Sequence, residues 1–502
     1  MKRTNRVCSL IMPGWFVFCV FAVAQNPDTF TDPNPPEVFE PGEPITEAKD
    51  WDGLTFRAAP KPLAQNAVTA EWPRFLGPND NAKTPETQLL DKFPEGGPKI
   101  VWECLKGTGY TSPAIVDGRL VLFDRFGDEE VSLCLDPATG KEFWRSGYPV
   151  EYTDRIGYSN GPRASAVIDS GKVYTLGVRS VLTCLDLKSG TKLWQRDLDA
   201  EFEIAPYFFG HGACPLIYDG KVIVNLGGRG GLCVAAFDQH SGKLVWGTKH
   251  EWLASYASPV VRELQGKPRL LVFAGGEDRR QNPDESPFGG LLCIDPATGE
   301  LHDAFPWRST MYTSVNASGP VVAGENRIFI SECYTEGGVL LELTPELKWK
   351  EVWRAPKFGL HWMTPLVIDG YIYGFLGRNE PDAWLACYDA ATGEEKWRDD
   401  LIWQDKLPDG RPYNLSYFRG SLLWADEKAY ALGELGTLGI FKLKPGGFEE
   451  LDKANLFFAK ATWSLPVLHK GLLYISQHEE EVPIIENPKP KRLICYDLRK
   501  AE

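Results

Sequence analysis

The residues of this chain with the greatest chemical reach fall at two recurring places in its sequence. Just ahead of a series of short apolar segments stand Tyr110, Tyr158, Asn160, Arg163, Tyr207, His211, Tyr256, Asn316, His361, Trp362, Asn414 and Trp463. A second set, Asp124, Arg125, Arg229, Arg279, Glu332, Arg378, Glu434 and His478, occupies the turns that follow the next segment. His211 and His361 share one position in this pattern and are flanked by aromatics, which makes each a candidate general base. Arg125, Arg163, Arg229 and Arg378, with Trp362 and His478, are candidates to hold a ligand. Polar and aromatic groups that loops bring together at the mouth of a channel make a ligand site. The bland counterpart for any one of them is hydrogen bonding and stacking between neighbouring structural units.

No local motif adds a catalytic group. The chain has no H-E-x-x-H, P-loop, G-x-S-x-G or haem-tethering Cys-x-x-Cys-His. Its seven histidines are scattered, so no metal site is expected. Gly227-Gly228-Arg229-Gly230-Gly231 has the composition of a phosphate loop, but no helical pattern follows. A turn between two strands is expected there. No carboxylate pair is fixed by the sequence at a glycosidase separation.

What must position these residues is a repeat. Asp136-Pro137-Ala138-Thr139-Gly140 is followed by Trp144, and the same pattern recurs from Asp186 to Trp194, Asp238 to Trp246 and Asp389 to Trp397. In all four copies the Trp lies eight residues after the Asp. A fifth copy, Asp295-Pro296-Ala297-Thr298-Gly299, keeps the turn and loses the Trp. Asp with Ser or Thr three residues on caps a tight turn, and Gly accepts the positive φ that the turn requires. Four more residues of strand bring the Trp to a packing position. Upstream of each hairpin lies an apolar strand with a Gly turn, as in Ser112 to Gly118 or Thr364 to Gly370. Each unit therefore supplies four short strands, which make one propeller blade.

The hairpin position falls at Asp136, Asp186, Asp238, Asp295, Glu342, Asp389, Phe441 and Asp497, at spacings of 47 to 57 residues. The expected fold is all-β, an eight-bladed propeller of four-stranded antiparallel blades. Seven blades is the alternative count, because the units at Glu342 and Phe441 are degenerate. The last unit lacks a fourth strand, and Lys99-Ile100-Val101-Trp102 reads as that strand, so the N-terminal strand should complete the final blade. Cys134, Cys184, Cys293, Cys387 and Cys495 each precede the hairpin Asp by two residues. Equivalent positions in different blades are too far apart to bridge, so these are expected as buried thiols. One bridge among Cys104, Cys214, Cys233 and Cys333 is left open.

Residues 1–24 read as a signal peptide. Lys2, Arg3 and Arg6 precede an apolar run from Leu10 to Val23, and Ala22-Val23-Ala24 supplies the small residues of a cleavage site. Cys19 follows Phe16-Val17-Phe18 and so lacks the small residues of a lipoprotein signal. Residues 25–71 are rich in Pro and acids and read as a poorly ordered leader, residues 72–98 as a lead-in, and residues 99–502 as the propeller. The net charge of −14, with no basic run denser than Lys489, Lys491 and Arg492, argues against nucleic acid as a partner. No stable membrane insertion is expected after signal cleavage, and the expected location is periplasmic or secreted.

The D-x-x-T/S-G-x-x-x-W hairpin resembles the repeat of the PQQ-like propeller superfamily. That group includes quinoprotein alcohol dehydrogenases and the propeller lipoprotein of outer-membrane assembly. The resemblance covers roughly residues 99 to 500, and Trp72-Pro73-Arg74-Phe75-Leu76-Gly77-Pro78-Asn79 looks like a segment seen ahead of many secreted bacterial members. It implies the fold far more strongly than an activity, because one scaffold hosts many functions. A quinoprotein reading would bring PQQ with calcium, usually covered by a vicinal disulfide, and this chain has no Cys-Cys pair. The expectation is a non-catalytic extracytoplasmic binding or scaffolding module with no cofactor and no metal, acting on a protein or carbohydrate ligand. The alternatives are a divergent PQQ-dependent oxidoreductase and an enzyme acting on extracellular carbohydrate.

Overall fold

The D-x-x-T/S-G turns fold as their residues dictate. At Asp136, Oδ1 accepts hydrogen bonds from Ala138 N at 3.0 Å and from Thr139 N and Oγ1 at 2.8 Å, while Gly140 sits at φ +73°. The turns at Asp186 and Asp238 are held the same way by Ser189 and Ser241. The computed structural model describes residues 30–205, 208–276, 287–379, 382–406, 410–483, 485 and 487–500, with Arg229 described by its backbone alone. The expected signal peptide, Tyr207 and Arg279 lie outside the described residues.

The repeat tryptophan reaches across to the next blade. The indole N–H groups of Trp102, Trp144, Trp194, Trp353 and Trp397 donate to turn carbonyls of Pro137, Leu187, Gln239, Ala390 and Lys444 at 2.9–3.3 Å. A Cβ added at Gly140, Gly190, Gly242, Gly299 or Gly393 would come within 2.5–2.8 Å of the preceding blade's Trp ring. The turn glycine thus allows a positive φ and also clears the seat for an indole. Two of the three exceptions fit the same pairing. Blades 4 and 7 place Asp303 and Asp452 in the Trp register, opposite Cys293 and Ile440. The blades that follow them, 5 and 8, have no glycine at the seat position, whereas blade 7 carries Pro445 there and still receives Trp397, which packs 5.4 Å from Phe448. Asp303 instead accepts the backbone N–H of Trp349 in the neighbouring blade at 2.7 Å.

The sheets form eight four-stranded antiparallel blades, so the eight-blade reading holds and the degenerate units are full blades. Blade 8 joins Val467–His469, Leu472–Gln477 and Arg492–Asp497 to the N-terminal strand Lys99–Leu105, in register from Lys99↔Asp497 to Leu105↔Arg492. Closure by that strand leaves no open seam in the ring. Cys134, Cys184, Cys293, Cys387 and Cys495 are buried in separate blades, and all nine described cysteines are free thiols. Among the described residues, no helix is long and apolar enough to cross a membrane.

The expectation of a poorly ordered leader is corrected for residues 30–71. Residues 30–61 run along the outer strands of blades 3, 2, 1 and 8 and pair with them, and residues 68–70 bond Glu86 and Thr87. Asp32 bridges the buried Arg196 at 2.6 Å, Phe39 N bonds Leu193 O, Lys49 pairs with Glu142, and Leu54–Phe56 adds a fifth strand beside Lys99–Leu105. Composition misled because an extended strap needs few apolar anchors when a sheet edge supplies its hydrogen bonds.

The lead-in closes the central opening. Trp72, fully buried, exchanges backbone bonds with Ile115, and Pro73 O accepts Ile168 N. Further along, Arg262 bonds Asp80 O, Thr84 and Ala82 pair with Trp424, and Glu86 accepts the Lys470 and Gly471 N–H groups. These partners belong to inner strands or inner turns of blades 1, 2, 4, 7 and 8, so the segment is a plug across one side of the channel.

Gly171 and Gly190 separate the two demands on the turn. Both have φ near +72°, but a Cβ at Gly171 meets nothing within 4 Å, whereas one at Gly190 strikes Trp144. Gly171→Ala should lose roughly 1–2 kcal/mol from backbone strain, and Gly190→Ala about 1–3 kcal/mol more from overpacking. Equal losses in denaturant titrations would refute the indole-seat account. Trp102→Ala, at the ring closure, should cost about 3–5 kcal/mol in the same measurement.

Candidate functional site

The loops that precede the first strands converge on the face opposite the plug, around a cavity of about 350 Å³. Phe75 of the plug forms part of its lining, which makes the cavity a blind funnel. Its wall is a belt of rings. Tyr110 and Trp463 lie 5.1 Å apart, Trp463 and Trp362 4.9 Å, Trp362 and His361 4.4 Å, and His361 and Tyr334 5.5 Å. Tyr158 and Phe209 continue the belt at 5.7 Å, and Phe209 meets Tyr256 at 5.9 Å.

Three guanidinium groups stand in this belt. Arg163 pairs with the fully buried Asp154 at 2.7 Å and lies 5.9 Å from the Tyr110 ring. Asp154 also accepts the N–H groups of Ile156, Gly157 and Tyr158 at 2.8–3.1 Å, so one carboxylate shapes the loop that carries Tyr158. Arg419 is paired with Glu434, donates to Arg378 O at 2.9 Å and lies 4.7 Å from the Trp362 ring. Glu434 also takes the Trp463 indole N–H at 2.6 Å. Arg378 lies 4.7 Å from the Tyr334 ring and donates to Thr313 Oγ1 at 3.2 Å.

Of the residues named from sequence, Arg163, His361, Trp362 and Arg378 line the funnel, together with Tyr110, Tyr158, Tyr256 and Trp463. Arg125 does not. It donates to the carbonyls of Gly127, Tyr152 and Asn160 and braces a loop. His211 is fully buried behind the wall with Nδ1 at 3.1 Å from Ser180 Oγ, and burial depresses its pKa to about 3. His478 is buried beneath Tyr110, with Nδ1 at 3.4 Å from Lys106 Nζ. Lys106 and Asp124 form a fully buried pair at 3.1 Å, and desolvation pushes Asp124 up and Lys106 down against their mutual attraction. The Gly-rich stretch at Arg229–Gly231 is a short turn between the second and third strands of blade 3, as expected.

His361 keeps its place at the funnel, with Nε2 3.0 Å from Tyr334 Oη. Burial, then the charges of Arg419 and Arg378, lower its pKa to about 3, so it is neutral at pH 7 and a weak base. Glu332 accepts the N–H groups of Tyr334 and Thr335 at 2.9 Å and that of Glu336; burial raises its pKa. Sequence reasoning missed Arg419, Phe75, Phe208, Phe209 and Tyr334 as funnel residues. Arg419 was legible in principle, two residues ahead of the first strand Ser421–Ala425, but its unit is degenerate.

Among the described residues, no group of three or more His, Cys, Asp and Glu could hold a metal ion. The family model described as outer membrane protein assembly factor BamB, a PQQ-type repeat, matches residues 127–399. The chain belongs to this PQQ-like propeller family. No curated protein matches the sequence. Among solved structures, the propeller is similar to BamB from Moraxella catarrhalis, with 13% identity over 80% of this chain and 98% of that one and a TM-score of 0.51. It is also similar to a europium-containing methanol dehydrogenase, with 12% identity, 80% and 89% coverage and a TM-score of 0.58. A quinohemoprotein alcohol dehydrogenase from Comamonas testosteroni gives 13% identity, 87% and 82% coverage and a TM-score of 0.57. At these identities the likeness is one of fold.

The buried histidines set the propeller's acid response. His211, His361 and His469 have pKa values lowered to about 3, and His478 lies well below 6.5, so all four are neutral when folded and take up protons on unfolding below about pH 6.5. Their stabilising contribution is complete above that pH and lost progressively toward pH 3. The raised carboxyl groups of Asp124, Glu130 and Glu332 work in the opposite sense and soften the loss. Stability should fall from pH 7 to pH 5. His211→Gln should flatten that slope by up to about 1.4 kcal/mol per pH unit, measured by thermal unfolding.

Proposed function

We propose that this PQQ-like propeller is an extracytoplasmic binding module whose ligand seats in the aromatic funnel. The observation that carries this reading is the blind, ring-lined cavity with guanidinium groups held from behind by buried carboxylates. Its volume falls in the range of small-ligand sites, and the rings supply contact area with few rotatable bonds. The apolar signal at residues 1–24 supports a location outside the cytoplasm.

The quinoprotein alternative has less support, because the residues present do not fit a calcium-bound quinone. Calcium needs several oxygen ligands. Of the described carboxylates behind the funnel, Asp154 and Glu434 are engaged by arginines, and Glu332 by backbone N–H groups. The enzyme reading for carbohydrate has less support among the described lining residues, where His361 is held neutral and weakly basic.

Two measurements test the reading. Glycan and peptide arrays probed with the full chain should show saturable binding, weakened about 30-fold or more by Trp463→Ala, a truncation worth roughly 2 kcal/mol at a binding hot spot. Titration with PQQ and calcium should give no stoichiometric complex and no dye-linked oxidation of alcohols or sugars. Tight PQQ binding, with turnover that fell in Arg163→Ala, would put the quinoprotein reading first.

A further inference from the structure

Resting on the funnel-binding reading, we propose that the ligand is an acidic saccharide, a ring bearing a carboxylate or sulfate whose charge pairs with Arg378. The described lining contains Arg163, Arg378 and Arg419 and no Asp or Glu, in a chain whose net charge is −14. Carboxylates behind the lining offset Arg163 and Arg419, so the positive charge left facing the funnel among the described residues is that of Arg378.

The three arginines are not equivalent. Asp154 and Glu434 stand behind Arg163 and Arg419, with side chains 0% and 3% exposed. Among the described residues Arg378 has no carboxylate partner. Its one side-chain hydrogen bond goes to the Thr313 hydroxyl, and the Tyr334 ring lies close to its guanidinium. A planar cation with open donors, half-buried among rings, is matched by an anion that accepts two parallel hydrogen bonds. Arg419 fixes the Arg378 carbonyl at 2.9 Å, which sets the backbone from which this cation projects.

The rest of the lining suits a sugar body. Ser258, Thr313, Asn379 and Ser464 place hydroxyl and amide groups around the rings, where a hydroxyl-bearing ligand can exchange hydrogen bonds as it stacks. Ile156, Tyr158 and Tyr312 are each about half exposed, which gives the next ring of a chain a surface to lie on.

The test uses the full chain titrated with three oligosaccharides that differ only at the terminal ring: glucuronate, sulfated glucose and glucose. Binding to the acidic probes should weaken about 10- to 100-fold in Arg378→Ala and Arg378→Gln, with Arg378→Lys between them, and should fall with added salt. The carboxylate and sulfate probes distinguish the two anion sources. An unchanged melting temperature in Arg378→Gln separates this loss from misfolding. Equal binding of glucose-ended and acidic probes, with loss only in Trp463→Ala, would overturn the charge assignment and leave the binding reading intact. Silence with all three probes, alongside array binding to another ligand class, would overturn the saccharide assignment alone. Silence in both would remove the binding reading itself.

Discussion

A tryptophan ring seated over the glycine of the neighbouring blade's turn is the contact on which this ring of sheets depends. Each blade is a small twisted sheet with little to hold it to the next except side chains that cross the gap. The indole supplies a large apolar face, and at every seated tryptophan except Trp246 its N–H satisfies a turn carbonyl that the packing would otherwise leave dry. The geometry is strict because the glycine has no Cβ to yield. In blades 5 and 8, where the glycine is missing, the preceding blade's tryptophan is missing too and an aspartate stands in its register, whereas blade 7 lacks the glycine and still receives Trp397. The unit at Glu342, degenerate in sequence, is therefore matched by its neighbour in space.

The N-terminal region takes over much of what the blades do not supply. Residues 30–61 run along outer strands, and residues 72–86 cross the opening on one side. The strap and plug convert a channel into a funnel with a floor. That changes the chemistry open to the molecule, since a blind cavity can desolvate a ligand and a wet channel cannot do so as well. Phe75 is the clearest instance: a residue outside the repeat becomes part of the site because its neighbours are pinned to inner strands.

The funnel's electrostatics follow from how its charges are backed. Asp154 and Glu434 each organise more than an arginine, one shaping a loop and the other positioning Trp463. Their charges are used within the protein, leaving arginines and aromatic faces toward the cavity. The same positive field, added to burial, keeps His361 neutral, so the group that most resembled a general base is a spectator to proton transfer at neutral pH.

The sequence by itself determined the blade and the ring closure and favoured eight blades over seven, because turn chemistry and strand alternation act over a few residues and recur at a near-regular spacing. It also placed Arg163, His361, Trp362 and Arg378 at the funnel, because the loop ahead of each first strand carries them there regardless of side-chain detail. Only the tertiary structure decided which polar residues face the cavity and which brace it. Arg125, His211 and His478 share sequence positions with true funnel residues, yet carbonyls, Ser180 and Lys106 take up their polar groups. The order of the leader and the role of the plug were likewise invisible, since both arise from backbone hydrogen bonds to strands far away in sequence. Local pattern can specify a repeating hairpin, whereas the partner of a single extended segment or a single buried charge is fixed only when the ring closes around it.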